Sequence, residues 1–152
     1  MRRIKVRKLM EKIMNRGIKT FEGETVEELI LHFADNPGTR IAVMQDKNGV
    51  FKGFTTIRAV GGVAFPLMAG IDEIGYDFFV RMVSRKVEDI ITYTNLYVSP
   101  EDTLDRAMER MLNYNLDELP VVENKRCLGI ITMADVLEVW VDKEAMTGGM
   151  IE

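Results

Sequence analysis

Apolar residues recur at three and four along two stretches of the chain, Val26-Leu29-Ile30-Phe33 and Leu104-Ala107-Met108-Met111, and that spacing predicts an amphipathic helix at each. Side-chain chemistry marks their starts. Thr25-x-x-Glu28 has capping-box form, and Ser99-Pro100 sets a cap residue before a proline at the first helical position. Short extended pieces, Ile18 to Phe21 and Leu96 to Val98, precede the helices. Beyond them, Arg40 to Met44 and Glu118 to Val122 read as buried strands. Asp46-Lys47-Asn48-Gly49 and Glu123-Asn124-Lys125 have hairpin chemistry and lead into second strands, Val50 to Thr55 and Cys127 to Ile131. Another helix follows, clearest from Met133 to Val141.

The two halves of this pattern are one unit made twice. Residues 6 to 44 lie on residues 84 to 122 at a constant offset of 78, with Arg7 on Arg85, Lys8 on Lys86, Ile13 on Ile91, Thr25 on Thr103 and Val43 on Val121. The offset then becomes 76, setting Gly53 on Gly129 and Thr56 on Thr132, as a turn two residues longer in the first copy requires. The expected class is therefore α/β (α+β), with a β-α-β-β-α unit repeated. The first repeat is expected at residues 1–60, the second at 81–143 and a tail at 144–152. Residues 61–80 have no repeat partner. Gly61-Gly62, Pro66, Gly70 and Gly75 stand there among Phe65, Leu67, Phe78 and Phe79, an apolar insert that covers core left open between the repeats or offers a surface for self-association.

Composition narrows the function classes. A chain of 152 residues with 47% hydrophobic and 29% charged side chains suits one folded soluble unit and excludes disordered and fibrous classes. A net charge of -4 gives no overall basic footprint for nucleic acid. Arg2, Arg3, Lys5, Arg7 and Lys8 form a local basic run, which reads as a solvated segment, with phosphate or RNA contact as the sharper alternative. A single cysteine, Cys127, excludes an internal disulfide and any CxxC motif. A single histidine, His32, lies beside the apolar set of its helix and is expected in solvent, which leaves little from which to build a zinc site or a serine triad. The longest uncharged stretch, Ala59 to Ile71, is 13 residues, short of the roughly 20 a membrane span needs, and the basic start lacks a secretory signal's apolar segment. Cytoplasmic location is the expectation.

The second copy carries Leu119-Pro120-Val121-Val122-Glu123, a short turn, then Gly129-Ile130-Ile131-Thr132-Met133-Ala134-Asp135-Val136-Leu137. This resembles the CBS domain, named for cystathionine beta-synthase, whose signature is an apolar-Pro-Val-Val-acid strand followed by Gly-x-x-Thr/Ser-x-x-Asp. The resemblance covers nearly the whole chain. The first copy fits it more loosely, with Ala42 at the proline position and Gly53-Phe54-Thr55-Thr56-Ile57-Arg58-Ala59, so the threonine is kept as Thr56 and Ala59 replaces the acid. The resemblance implies two repeats related by a pseudo-twofold axis, packed through their sheets, with clefts that bind adenosine-type ligands.

The residues carry a matching chemistry. A strand that begins with glycine and runs into a helix at Thr132 is expected to leave free N–H groups and a positive dipole end, suited to phosphate or ribose oxygens. Asp135, one turn in, has the acceptors for a ribose 2′,3′-diol. Thr132-x-x-Asp135 also has capping-box layout, and alone that structural role would be favoured; the resemblance turns the reading toward a ligand. By the same resemblance, Ile91, Thr92 and Tyr93 together with Leu119, Pro120 and Val121 would wall the adenine, and Thr39 and Arg40 would approach the phosphates. The second cleft, with Thr56 and Arg58, lacks the ribose acid and would face Asp117 and Glu118. One competent nucleotide site is therefore expected, the other being empty, weaker or differently filled.

These features imply a regulatory module that binds AMP, ADP, ATP or a related adenosyl ligand such as S-adenosylmethionine. It needs no cofactor or metal and performs no catalysis, since no acid/base pair, nucleophile or metal set assembles from the spacing. By resemblance it forms a homodimer and acts on an unidentified regulated protein. The alternative is a structural homodimerisation module without a nucleotide. A third reading, nucleic-acid binding through the basic N-terminal run, predicts steep salt dependence.

Overall fold

The parallel pairing of Ile18 with Ala42 and the antiparallel pairing of Ile41 with Thr56 build one sheet around a central, fully buried strand. The computed structural model describes residues 4–69 and 73–142. A 3-10 turn, Val6–Leu9, leads into α1 (Met10–Ile13), β1 (Ile18–Phe21), α2 (Val26–Asp35), β2 (Ile41–Gln45), β3 (Phe51–Thr56), α3 (Ile57–Ala69) and α4 (Glu73–Val83). A second 3-10 turn, Val87–Asp89, precedes α5 (Leu104–Asn113), β4 (Glu118–Glu123), β5 (Arg126–Thr132) and α6 (Met133–Val141). The first sheet has the order β1-β2-β3, with a register shift at Met44/Gln45, and the second pairs β4 with β5. The mixed α/β class expected from the periodicity is the class observed.

The chain forms two compact units, and they cut across the repeat boundaries read from the sequence. One holds the described residues among 1–16, 97–123 and 128–152; the other holds those among 17–96 and 124–127. The expected tail at 144–152, together with Arg2, Arg3 and Gly70, lies outside the described residues.

In the unit containing α2, Ile18, Leu29, Phe33, Ala42, Met44, Val60 and Val87 form a buried cluster, so the period-3.6 face of α2 meets the period-2 face of the sheet. Thr25 starts α2 with a complete capping box, its hydroxyl accepting from the Glu28 N–H at 3.1 Å while the Glu28 carboxylate accepts from the Thr25 N–H at 2.9 Å. The segment 61–80, which has no repeat partner, is helical where it is described. Helix α3 runs on through Gly61-Gly62, α4 follows, and Met82 and Val83 join Val26 in a second cluster with Ala64, Ile30 and Ile90 packed against it. His32 departs from its expected place in solvent: it is half-buried, with Nε2 3.5 Å from the Glu24 carboxylate, which Thr20 and the Phe21 N–H hold in place.

In the other unit, α5 buries Leu104, Ala107, Met108 and Met111, the apolar face that the spacing predicted. Two local expectations are corrected here. The helix begins at Thr103 and not at Ser99-Pro100, because Ser99 to Asp102 close a turn in which the Asp102 carboxylate accepts from the Ser99 N–H at 2.8 Å, and the Thr103 hydroxyl then caps the Arg106 N–H at 3.1 Å. The strand expected at Leu96 to Val98 shrinks to a single parallel bridge, in which Val98 donates to the Pro120 carbonyl at 3.1 Å and accepts from the Val122 N–H at 2.8 Å. No helix among the described residues is long and apolar enough to cross a membrane.

Candidate functional site

Each copy has a strand that passes straight into a helix through a threonine, and the two junctions differ in one carboxylate. At Thr132 the capping box is complete: its hydroxyl accepts from the Asp135 N–H at 3.0 Å, and Asp135 Oδ2 accepts from the Thr132 N–H at 2.8 Å. At Thr56 only the first half exists. The hydroxyl accepts from the Ala59 N–H at 2.9 Å, and Ala59 has no polar side chain to return the bond.

The helix starts have fewer free donors than the sequence suggested. Met133 N–H donates to the Asp117 carbonyl at 2.9 Å and Asp135 N–H to Thr132, so two donors of the first turn of α6 are engaged. At the other junction the Ile57 N–H donates to the Arg40 carbonyl at 2.9 Å. The Thr132 junction is thus a carboxylate more than an array of amides.

Asp135 is 6% exposed. Arg16 Nη1 donates to its Oδ2 at 2.6 Å and Arg16 Nη2 to its Oδ1 at 3.3 Å, while Lys12 Nζ stands 3.9 Å from Oδ1 and pairs with Glu138. Arg16 also donates to the Ile130 carbonyl at 3.2 Å. Burial pulls the Asp135 carboxyl upward, but the Arg16 hydrogen bond, the Thr132 N–H and the guanidinium charge outweigh it, and its pKa lies below the usual aspartate value. The group is a buried, ionised acceptor at neutral pH.

Segments ahead of β1 and of α5 cross β5 and β3 at their glycines, which explains both glycines. Asn15 N–H donates to the Leu128 carbonyl at 2.9 Å and Met14 bridges to Gly129, where an added Cβ would meet the Ile13 carbonyl carbon at 2.7 Å. In the other unit the Thr92 and Tyr93 N–H groups donate to the Phe54 carbonyl at 3.0 Å, the Phe54 N–H returns a bond to the Tyr93 carbonyl at 2.8 Å, and a Cβ on Gly53 would lie 2.7 Å from Ile91 Cγ2. Glycine is required for the close approach of backbone to backbone. The Phe54 and Tyr93 rings pack with centroids 5.0 Å apart, and the Thr55 and Thr92 hydroxyls are 2.9 Å apart.

The expected residues are thus distributed by unit. Ile91, Thr92 and Tyr93 come together with Phe54 and Thr55, next to Thr56 and the exposed Arg58, in the unit that also holds Thr39 and Arg40 ahead of β2. Leu119, Pro120 and Val121 are buried in β4 in the unit of Thr132 and Asp135, and the Pro120 carbonyl already accepts from Val98. Arg16 and Lys12 were missed. A signal for Arg16 existed: the offset of 78 that sets Ile13 on Ile91 also sets Met14, Asn15 and Arg16 on Thr92, Tyr93 and Thr94. No cluster of three or more metal-ligating side chains occurs among the described residues.

Residues 87–142 match the CBS domain family, and the strands and helices of the chain are similar in fold to solved CBS-domain proteins. A CBS domain-containing protein from Thermotoga maritima is 19% identical, with a TM-score of 0.74 over 93% of this chain and 97% of that one. The CBS domain pair of protein MJ0100, solved in complex with 5′-methylthioadenosine and S-adenosyl-L-methionine, is 16% identical, with a TM-score of 0.66 over 89% and 96% of the two chains. In sequence, inosine-5′-monophosphate dehydrogenase from Staphylococcus haemolyticus is 37% identical over 62 residues, which is 40% of this chain and 13% of that enzyme's length.

Proposed function

We propose that this protein is a regulatory CBS-pair module that binds an adenosine nucleotide or related adenosyl ligand and acts by a change of shape, without catalysis. The observation that carries this reading is Asp135: a buried carboxylate held ionised at a strand-to-helix junction, in the Gly-x-x-Thr-x-x-Asp setting, where a ribose diol finds its acceptors. The adenosyl ligands of the MJ0100 pair, which shares the fold, support the ligand class. A sensor of this kind needs only unequal affinities in two conformations.

A thermal-shift panel of adenosine, AMP, ADP, ATP and S-adenosylmethionine tests the reading. A ligand at about 100 times its dissociation constant adds about 2.7 kcal/mol of stability, a shift of several degrees for a chain of this size. Asp135→Ala is expected to weaken the binding compound at least about tenfold by calorimetry, the value of one hydrogen bond to a charged group. No shift with any of the five compounds ends the proposal.

One observation favours the rival, a structural homodimerisation module without nucleotide: Asp135 is already satisfied by its cap and by Arg16. Light scattering at several concentrations tests the homodimer common to both readings, and the ligand panel separates them.

A further inference from the structure

The acceptors of Asp135 are nearly all in use. Oδ2 takes the Arg16 guanidinium and the Thr132 N–H, at 2.6 and 2.8 Å, and Oδ1 takes the second Arg16 nitrogen at 3.3 Å. A carboxylate offers about four lone-pair directions, and a ribose diol on it needs two of them in good geometry. Something must therefore leave. The Thr132 N–H is fixed by the backbone at the start of α6, whereas Arg16 is a long side chain, 31% exposed, that can swing. Lys12 is not the leaving group, because it lies 3.9 Å away and has Glu138 as its own partner.

We infer that Arg16 determines the specificity of this site: a ribose diol seated on Asp135 displaces its guanidinium, which then engages an anionic group of the same ligand. The inference rests on the proposed nucleotide-binding role. Its physical basis is what displacement does to the cation. A neutral nucleoside takes the carboxylate and leaves the guanidinium without its ionic partner beside the Ile130 carbonyl, so binding opposes an existing ion pair. A ligand with phosphate within reach supplies a second anion and recovers that interaction, with the fork geometry that suits guanidinium to phosphate. The same residue thus weakens nucleosides and strengthens nucleotides.

Calorimetry with adenosine and AMP on the full chain and on Arg16→Gln tests this. Wild-type protein is expected to prefer AMP by about tenfold or more, the equivalent of one charge-assisted hydrogen bond. In Arg16→Gln, AMP should weaken by about tenfold while adenosine holds or tightens by up to roughly fivefold, the range of a partly exposed ion pair, so the preference collapses. Melting curves establish that the variant is folded; if it is not, Arg16→Lys decides, with a preference lowered about threefold because an ammonium lacks the fork. An AMP-to-adenosine ratio unchanged by the substitution overturns the inference and leaves the nucleotide-binding role standing. A wild-type protein that binds another member of the panel but neither of these two overturns the inference alone, and one that binds none overturns both.

Discussion

Arg16 and Asp135 are 119 residues apart in the chain and meet at 2.6 Å, closing the segment ahead of β1 onto the junction of β5 with α6. The contact stands beside an amide bridge, Met14 on Gly129, and a helix cap, Thr132 with Asp135, so two further features adjoin one ion pair. Breaking a buried pair by removing one partner costs more than the pair contributes, since the other charge stays buried and unmatched.

Acid should expose this dependence. Asp135 has a folded pKa below its unfolded value, so its stabilising contribution is complete above the unfolded carboxyl range, near pH 4, and is lost as pH falls through the lower folded value. The melting temperature of wild-type protein is expected to drop on acidification below about pH 4, and that of Asp135→Asn to drop less steeply over the same window. Superimposable acid profiles for the two proteins would remove the carboxylate from the stability account.

Two glycine substitutions should move stability in opposite directions. An alanine at Gly129 would drive its Cβ against the Ile13 backbone, which cannot retreat as a side-chain end can, and about 1 to 3 kcal/mol should be lost. Gly62 is exposed within α3, and a Cβ added there would meet nothing within 4 Å, so Gly62→Ala should gain about 0.5 to 1 kcal/mol by restricting the unfolded chain. Urea midpoints at equal slope report both; equal effects would mean that the crossing at Gly129 is not tight.

The two leucines of α2 offer a sharp contrast. Leu29 is fully buried in the cluster with Phe33 and Met44, and Leu29→Ala should cost about 2 to 5 kcal/mol. Leu31 is 56% exposed, and Leu31→Ala should stay within about 0.5 kcal/mol of wild type. Similar losses from the two, measured by denaturant unfolding, would mean that the face of α2 is assigned wrongly.

Thr25 separates a structural cap from a candidate ligand contact. Thr25→Ala removes half of the capping box of α2 and is expected to cost about 1 kcal/mol of stability while leaving ligand affinity unchanged. Thr132→Ala removes the same cap at α6, and within the proposed function it also lowers affinity. Equal binding by the two variants, measured by calorimetry with whichever panel compound binds, would confine Thr132 to capping.

Local order was legible in the amino-acid sequence because it is written in short spacings. The threes and fours of α2 and α5, the turn chemistry between paired strands, the capping box at Thr25 and the Gly-x-x-Thr-x-x-Asp stretch each lie within a dozen residues, and each has its counterpart in the structure. Where local signals competed, the sequence misled: Ser99-Pro100 has the chemistry of a helix start, yet Asp102 closes a turn there and Thr103 takes the cap.

Partnership across the chain was decided by the tertiary structure alone. That Ile91 to Tyr93 belong with Phe54, that Ile13 to Arg16 belong with Gly129 and Asp135, and that the glycines serve a crossing of backbones are facts about residues tens to more than a hundred positions apart. Periodicity reports which face of an element is apolar, and it is silent on which distant segment covers that face. A guanidinium leaves no mark on local spacing, so only packing revealed that the Asp135 carboxylate already has a charged companion.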